Sequence, residues 1–212
     1  LSVDDHVQYA MVAGDGLKMF DVAKEHLKLA LKEKPEDGHI IGKYAMLLQQ
    51  INSYSLSKEY YKHALSYIPK DLEIRYQFSN LLWLMQDYNS ACQQLKTCLN
   101  IIKSKQSQYS EEGGKKKEIK ASTKLKIEEA EEKCCILYGI LLIELEQYDT
   151  AKSFLLRAID LNRKNNECID PRYIAELMLL FIKTKQYEDA YNYYEIALNY
   201  VTDQRQYFGN II

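Results

Sequence analysis

The stretch "DYNSACQQLKTCLNII", Asp87–Ile102, places a tyrosine three residues before an alanine and then spaces cysteines and leucines along one helical face. Four other stretches share this pattern. They are "FDVAKEHLKLALKEKP" from residue 20, "YSLSKEYYKHALSYIP" from residue 54, "YDTAKSFLLRAIDL" from residue 148 and "YEDAYNYYEIALNYV" from residue 187. The first three of the five aligned aromatic residues, at 20, 54 and 88, are 34 residues apart. The chain is therefore predicted to repeat one structural unit.

Each aligned stretch has two small residues seven positions apart, with a bulky residue between them. The small residues are Ala23, Ser57, Ala91, Ala151 and Ala190, and then Ala30, Ala64, Cys98, Ala158 and Ala197. The bulky residues are Leu27, Tyr61, Leu95, Leu155 and Tyr194. Small residues two turns apart on one face let a neighbouring helix approach closely, and the bulky residue fills the space between them. The pattern predicts a packing helix in every unit.

A second amphipathic segment precedes each of these helices. Examples are "IRYQFSNLLWLM", Ile74–Met85, and "CILYGILLIEL", Cys135–Leu145. Pro35 and Pro69, again 34 residues apart, are predicted to end the second helix of the first two units, because proline cannot continue a helix interior. Each unit is therefore predicted to be a helix, a short turn and a second helix.

This pattern resembles the tetratricopeptide repeat family, and Tyr138-Gly139 of the fourth unit matches it best. The resemblance implies an all-α, right-handed superhelical solenoid. The family's first-helix tryptophan is absent, and its glycine is replaced in the other units by Met11, Ala45, Ser79 and Met178. The predicted units are 4–37, 38–71, 72–105, 132–165 and 171–204, in one domain covering 1–212. Because residue 1 is Leu, we expect the chain to be part of a longer one.

An insertion, 106–131, separates the third and fourth units. Its first half contains Gly113-Gly114 and is predicted to be a loop. From Lys115 onward, apolar residues recur every three or four positions and run into the first helix of the fourth unit. We therefore expect one elongated helix from about Lys116 to Glu146, roughly 45 Å long, which projects beyond the stacked pairs.

Composition favours a helical protein without enzymatic chemistry. With 47% hydrophobic residues, three prolines and eight glycines, the chain shows no sustained alternation typical of sheets. The net charge of -2 provides no general attraction for nucleic acid. Five cysteines without a CxxC pair indicate reduced, packed thiols in an intracellular, cytoplasmic protein, and the longest apolar run is too short to span a bilayer. No catalytic motif, metal site or cofactor site is expected.

The resemblance implies that the first helix of each unit lines a concave groove that binds a partner. The residues it places there are Met46, Tyr76, Asn80, Trp83, Ile136, Ile140, Ile143, Leu179 and Ile182. This predicted groove is largely apolar, which is typical of a surface that binds a helix or an extended segment. The alternative is that these side chains belong to the core between repeats.

Some members of the family hold an acidic C-terminal peptide in a carboxylate clamp of lysine, asparagine and arginine side chains. The corresponding positions here are Gln8, Val12, Lys43, Glu73 and Gln77. Because these residues do not reproduce the cationic cradle that pairs with a carboxylate, this kind of binding is disfavoured.

A run of lysines is the sharpest charged feature. It comprises Lys115, Lys116, Lys117, Lys120, Lys124 and Lys126, and four glutamates follow it. One interpretation is a basic patch for a polyanion, and the other is a solvated helix in which Lys124 and Glu128 form an i,i+4 pair. We favour the solvated helix, because no interleaved aromatic or arginine residues support base stacking.

The sequence therefore predicts a non-catalytic scaffold or adaptor that binds a protein or peptide in its groove. A structural subunit that self-associates within a larger assembly, such as a ciliary or cell-cycle complex, is one alternative. Polyanion binding through the lysine-rich helix is another. A small-molecule substrate and nucleic acid are not expected, and the sequence leaves open whether copies associate.

Overall fold

A computed structural model describes residues 1–111, 121–165 and 169–209. Within these ranges every regular element is helical, which confirms the predicted all-α class. Contacts between Cα atoms divide the chain into two compact units, Leu1–Ile101 and Ile102–Ile212. We call them the first and second contact units.

The helices come in pairs. They are α1 Val3–Met11, α2 Phe20–Glu33, α3 Gly38–Gln50, α4 Tyr54–Tyr67, α5 Leu72–Leu84, α6 Tyr88–Glu111, α7 Ala121–Glu144, α8 Tyr148–Asn165, α9 Pro171–Lys183 and α10 Tyr187–Gly209. A π-helical turn, Val12–Gly16, continues α1. Each of the five aligned aromatic residues begins the second helix of its pair, and α2 and α4 end two residues before Pro35 and Pro69. The predicted helix, turn, helix arrangement is confirmed.

The turn inside each pair contains one residue with a left-handed backbone. These residues are Lys18, Asn52, Gln86, Glu146 and Lys185, with φ between 56° and 60°. In the third pair, the N–H of Gln86 donates to the Trp83 carbonyl and that of Asp87 to the Leu82 carbonyl, both at 2.9 Å. Such bonds satisfy carbonyl groups at the end of the first helix and reverse the chain. The equivalent two bonds occur in the second, fourth and fifth turns, whereas in the first turn, which follows the π-helical residues, the N–H of Met19 donates to the Ala13 carbonyl.

Side-chain caps begin four of the first helices. Ser2 and Asp5 exchange hydrogen bonds with each other's backbone N–H groups at the start of α1. Asp37, Asp71 and Asp170 cap α3, α5 and α9, because each carboxylate accepts a hydrogen bond from a backbone N–H at the start of its helix. Since a helix start leaves backbone donors unpaired, each cap defines where its pair begins.

The small residues lie where the two helices of a pair meet, as predicted. Ser57 is buried and donates its hydroxyl to the Ala45 carbonyl at 2.7 Å, from α4 to α3. In the fourth pair, a Cβ added to Gly139 would lie 2.6 Å from Leu155 Cδ2. A side chain at position 139 would therefore collide with the bulky residue of the second helix, which explains the glycine there.

The beginning of the insertion differs from the prediction. Residues 106–111 were predicted to form a loop, but they continue α6, which ends at Glu111. The segment before Glu111 contains no glycine or proline, and Gln106 donates to Glu131 Oε2 at 2.8 Å, which ties this turn of α6 to α7. Gly113-Gly114 lie outside the described residues.

The elongated helix is present as α7. Its described part has 24 residues and is therefore about 36 Å long. It ends at Glu144, two residues before the predicted end, because the left-handed residue Glu146 reverses the chain there. The predicted beginning near Lys116 lies outside the described residues.

Candidate functional site

In the first contact unit, four predicted groove residues lie on α3 and α5, which contact each other. Met46, Tyr76 and Asn80 are partly buried. Trp83, at the end of α5, is 38% exposed. We call these four residues the α3–α5 surface. Trp83 is the exposed side chain of the four, and the other three are partly accessible to solvent.

In the second contact unit, four predicted groove residues lie on α7 and α9, which also contact each other. Ile136 and Ile140 on α7 are partly buried, whereas Leu179 and Ile182 on α9 are 41% and 49% exposed. We call these four residues the α7–α9 surface. Leu180 and Phe181, between Leu179 and Ile182 in sequence, are buried, as the helical period requires.

Ile143 does not belong to this surface. The sequence placed it in the groove one turn after Ile140, but it is 1% exposed. The ends of α7 and α9 meet at this level, where Lys183 Nζ lies 3.6 Å from Glu144 Oε1. Ile143 is therefore a core residue at the level where these two helix ends meet.

Charged groups border the α7–α9 surface. Glu176, one turn before Leu179, is partly buried. Burial raises the pKa of the Glu176 carboxyl, the negative charge of Glu144 raises it further, and Lys183 opposes the shift. A cationic group placed near this carboxylate would favour its charged form and so oppose both effects.

The lysine run is described in part. Lys124 and Lys126 are exposed on α7, and Lys124 Nζ lies 3.9 Å from Glu128 Oε1 in the predicted i,i+4 pair. Lys115, Lys116, Lys117 and Lys120 lie outside the described residues. The ion pair supports the solvated helix for the described part, and a basic patch stays a prediction.

Two of the glutamates after the lysines make buried hydrogen bonds that the sequence analysis missed, since it favoured a solvated helix there. Glu131 Oε1 accepts hydrogen bonds from Arg157 Nε at 3.0 Å and Nη2 at 2.8 Å, across α7 and α8. Glu132 Oε1 accepts from Asn162 Nδ2 at 2.9 Å and from the Tyr173 hydroxyl at 2.8 Å. The network therefore connects α7 to both α8 and α9.

The protonation states of the partners suit these bonds. The hydrogen bond to Glu131 raises the pKa of the Arg157 guanidinium. Burial, followed by the hydrogen bond to Glu132, raises the pKa of the Tyr173 hydroxyl, which stays a donor at neutral pH. One sequence signal for burial existed, because Glu131 stands four residues from both Ile127 and Cys135, which are buried.

The cysteines are packed. Cys92, Cys98, Cys134 and Cys135 are buried, and Cys168 lies outside the described residues. Burial raises the pKa of the Cys92 thiol and that of Cys135 to about 12, which opposes formation of the nucleophilic thiolate.

The described ranges, 1–111, 121–165 and 169–209, contain no candidate for two other classes of site. No three histidine, cysteine, aspartate or glutamate side chains in these ranges are grouped as metal ligands. None of the described helices combines the length and hydropathy needed to cross a membrane.

Comparison with known proteins identifies the repeat. The tetratricopeptide repeat model matches residues 39–71 and 132–165. No curated protein matches the chain.

Solved structures show the same fold. PilF of Pseudomonas aeruginosa is 18% identical with a TM-score of 0.70, over 93% of this chain and 75% of that one. MamA from Desulfovibrio magneticus is 13% identical with a TM-score of 0.71, over 95% and 96%. YrrB, described as a tetratricopeptide repeat protein with an unusual peptide-binding site, is 10% identical with a TM-score of 0.63, over 93% and 86%. The family model thus matches two segments of the chain, and the likeness to these structures shows an all-α solenoid fold.

Proposed function

We propose that this protein is a non-catalytic interaction scaffold whose α7–α9 surface binds a segment of another protein. One observation carries the proposal. Leu179 and Ile182, three residues apart on α9, keep 41% and 49% of their surface accessible, and α9 contacts α7, which carries Ile136 and Ile140. Apolar side chains grouped in this way supply affinity when a partner removes them from water.

The charges bordering this surface indicate the chemistry of the segment. Glu144 and Glu176 lie close enough for one carboxylate to raise the pKa of the other. A segment with apolar side chains and one nearby lysine or arginine would therefore bind better than an acidic one. The peptide-binding site described for YrrB supports a role of this kind for the scaffold, though not for particular residues of this chain.

The α3–α5 surface is a second contact of the same kind, with Trp83 as its anchor. Tryptophan is enriched among the residues that contribute most to binding, because its large ring is desolvated in a partner's pocket. Each contact unit thus has one apolar surface, formed by the first helices of two of its helix pairs.

Selection of peptides from a random library by the 212-residue protein tests the proposal. The selected peptides should be apolar with basic residues. The Leu179→Glu, Ile182→Glu variant should bind them at least about tenfold more weakly, because the lost anchors are replaced by charge. Leu56→Glu is the matched control, since Leu56 is equally exposed but lies on α4.

Equal binding by the variant and the control would contradict the proposal. So would a stable oligomer in light scattering that Leu179→Glu, Ile182→Glu dissociates, because a second copy would then occupy the surface. Circular dichroism of both variants checks that the helices are retained.

A further inference from the structure

One face of α10 is apolar and open. Tyr187, Tyr191, Tyr194 and Leu198 follow one another at steps of four, three and four residues, which places them on one side of the helix. All four are exposed. We call them the α10 stripe. Three tyrosines and a leucine grouped on one face form a larger apolar patch than single exposed residues do.

The other four units show how buried the equivalent face usually is. Tyr194 occupies the position of the bulky residue that is Leu27, Tyr61, Leu95 or Leu155 in the other units. Those four side chains are at most 1% exposed, whereas Tyr194 is 48% exposed. The same helical position is therefore core in four units and surface in the fifth.

The second unit shows what covers this face when it is core. The Tyr61 ring stacks on the Phe78 ring of α5, with centroids 5.5 Å apart. Lys58, at the position of Tyr191, places its Nζ 3.3 Å from Asp87 Oδ2 in the turn after α5. The covering element is thus the first helix of the following pair together with its turn.

The fourth unit repeats this arrangement. Lys152, again at the position of Tyr191, places its Nζ 4.8 Å from the centroid of the Phe181 ring on α9. A first helix therefore covers the equivalent face of α8 as well. The face of α10 has the side chains and the register of a surface that receives an α-helix.

The charges around the α10 stripe specify the helix it receives. Glu188 and Glu195 are two turns apart and border one edge of the stripe, and no lysine or arginine occurs between residues 187 and 198. The Tyr191 hydroxyl donates to Glu195, and this bond raises the pKa of Tyr191. Where the first, second and fourth units carry Lys24, Lys58 and Lys152, this unit carries an uncharged tyrosine.

We propose that the α10 stripe docks an amphipathic α-helix of another protein that carries lysine or arginine along one flank. The apolar side of that helix covers Tyr191, Tyr194 and Leu198, and its basic flank pairs with Glu188 and Glu195. A second copy of α10 would add a like acidic edge, so charge opposes self-association through this face. The proposal concerns a different helix from the α7–α9 surface and does not depend on it.

Two synthetic peptides test the proposal. Both follow Pro171–Lys183, the α9 sequence that covers the equivalent face of α8, and they differ in having lysines or glutamates along one flank. Fluorescence anisotropy with the 212-residue protein at low salt should show binding of the lysine peptide at least about tenfold tighter than the glutamate peptide, because only the former complements the acidic edge. Higher salt should reduce this preference.

Three variants test whether the lysine peptide binds at the α10 stripe. Tyr191→Ser, Tyr194→Ser should weaken binding of the lysine peptide at least about tenfold, since it removes the central aromatic anchors. Glu188→Lys, Glu195→Lys should reverse the preference between the peptides. Leu56→Ser, an equally exposed apolar side chain on α4, is the control and should change neither affinity.

Several results would overturn the proposal. They are binding of neither peptide, equal binding of both, and unchanged binding by Tyr191→Ser, Tyr194→Ser. A dimer in light scattering that the same double substitution dissociates would assign the stripe to a second copy instead. The Leu179→Glu, Ile182→Glu variant should bind the lysine peptide normally, which separates this test from that of the α7–α9 surface.

Discussion

The carboxylate of Glu132 on α7 accepts a hydrogen bond from the Tyr173 hydroxyl of α9 at 2.8 Å, although 41 residues separate them in sequence. The same oxygen accepts from Asn162 on α8. A buried carboxylate needs such donors, because its charge is otherwise costly away from water. Glu132 therefore fixes how three consecutive helices of the second contact unit pack.

Removing the Tyr173 hydroxyl should destabilise the protein. Tyr173→Phe leaves the buried Glu132 carboxylate with one donor fewer at Oε1, and losing a hydrogen bond to a charged group costs about 1.5–3 kcal/mol. The free energy of unfolding in urea measures the effect. Tyr67→Phe, which removes an exposed hydroxyl on α4, is the control and should change little. Equal effects of the two substitutions would mean that the Glu132 bond contributes nothing specific.

The helix pairs were predictable because their signal is local and repeated. Small residues such as Ala23 and Ala30 recur at a spacing that close helix packing requires, and five copies of the pattern fix the register. The position of the two helices of each pair in the sequence followed from this register.

Individual surface residues were harder to predict. Burial of Glu131 depends on Arg157, 26 residues away, and Ile143 is enclosed where the ends of α7 and α9 meet. Periodicity along one helix specifies which side faces inward, but not how far a neighbouring helix extends over its edge. The groove therefore stays a prediction, and Ile143, at 1% exposed, has almost no surface that could contribute to it.

Glycine should stabilise the turns that contain a residue with left-handed backbone conformation. Glu146 has φ 57°, a conformation in which a side chain on Cβ is strained and glycine is not. Glu146→Gly should raise the free energy of unfolding by about 1 kcal/mol. Asn52→Gly should gain less, since asparagine tolerates this conformation better than glutamate.

A glycine inside a helix provides the control for this prediction. Glu129→Gly, in the exposed middle of α7, should lower stability by about 0.5–1 kcal/mol because it adds backbone entropy to the unfolded chain. If Glu146→Gly also lowers the free energy of unfolding, backbone strain at Glu146 does not destabilise the protein. Thermal unfolding of both variants under the same conditions makes the comparison.

A methyl group at position 139 should disrupt the fourth helix pair. In Gly139→Ala the new Cβ would lie 2.6 Å from Leu155 Cδ2 and 2.7 Å from its Cγ, so the leucine or the helix must move. Overpacking of this kind costs about 1–3 kcal/mol. Gly16→Ala is the control, because a Cβ there meets no atom within 4 Å. An undisturbed melting temperature in Gly139→Ala would show that α8 shifts at no cost.

Neutralising Glu176 should stabilise the protein at neutral pH. Burial and Glu144 raise the pKa of its carboxyl in the folded state, so ionisation costs more in the folded than in the unfolded chain. This cost is present above the raised pKa, diminishes as the pH falls through it, and vanishes below the ordinary value near 4.5. Glu176→Gln should therefore raise the free energy of unfolding at pH 7 and leave it nearly unchanged at pH 4. Urea unfolding at both pH values measures the difference, with the exposed Glu188→Gln as control. A gain that is equal at the two pH values would point to packing of the amide rather than to removal of the charge.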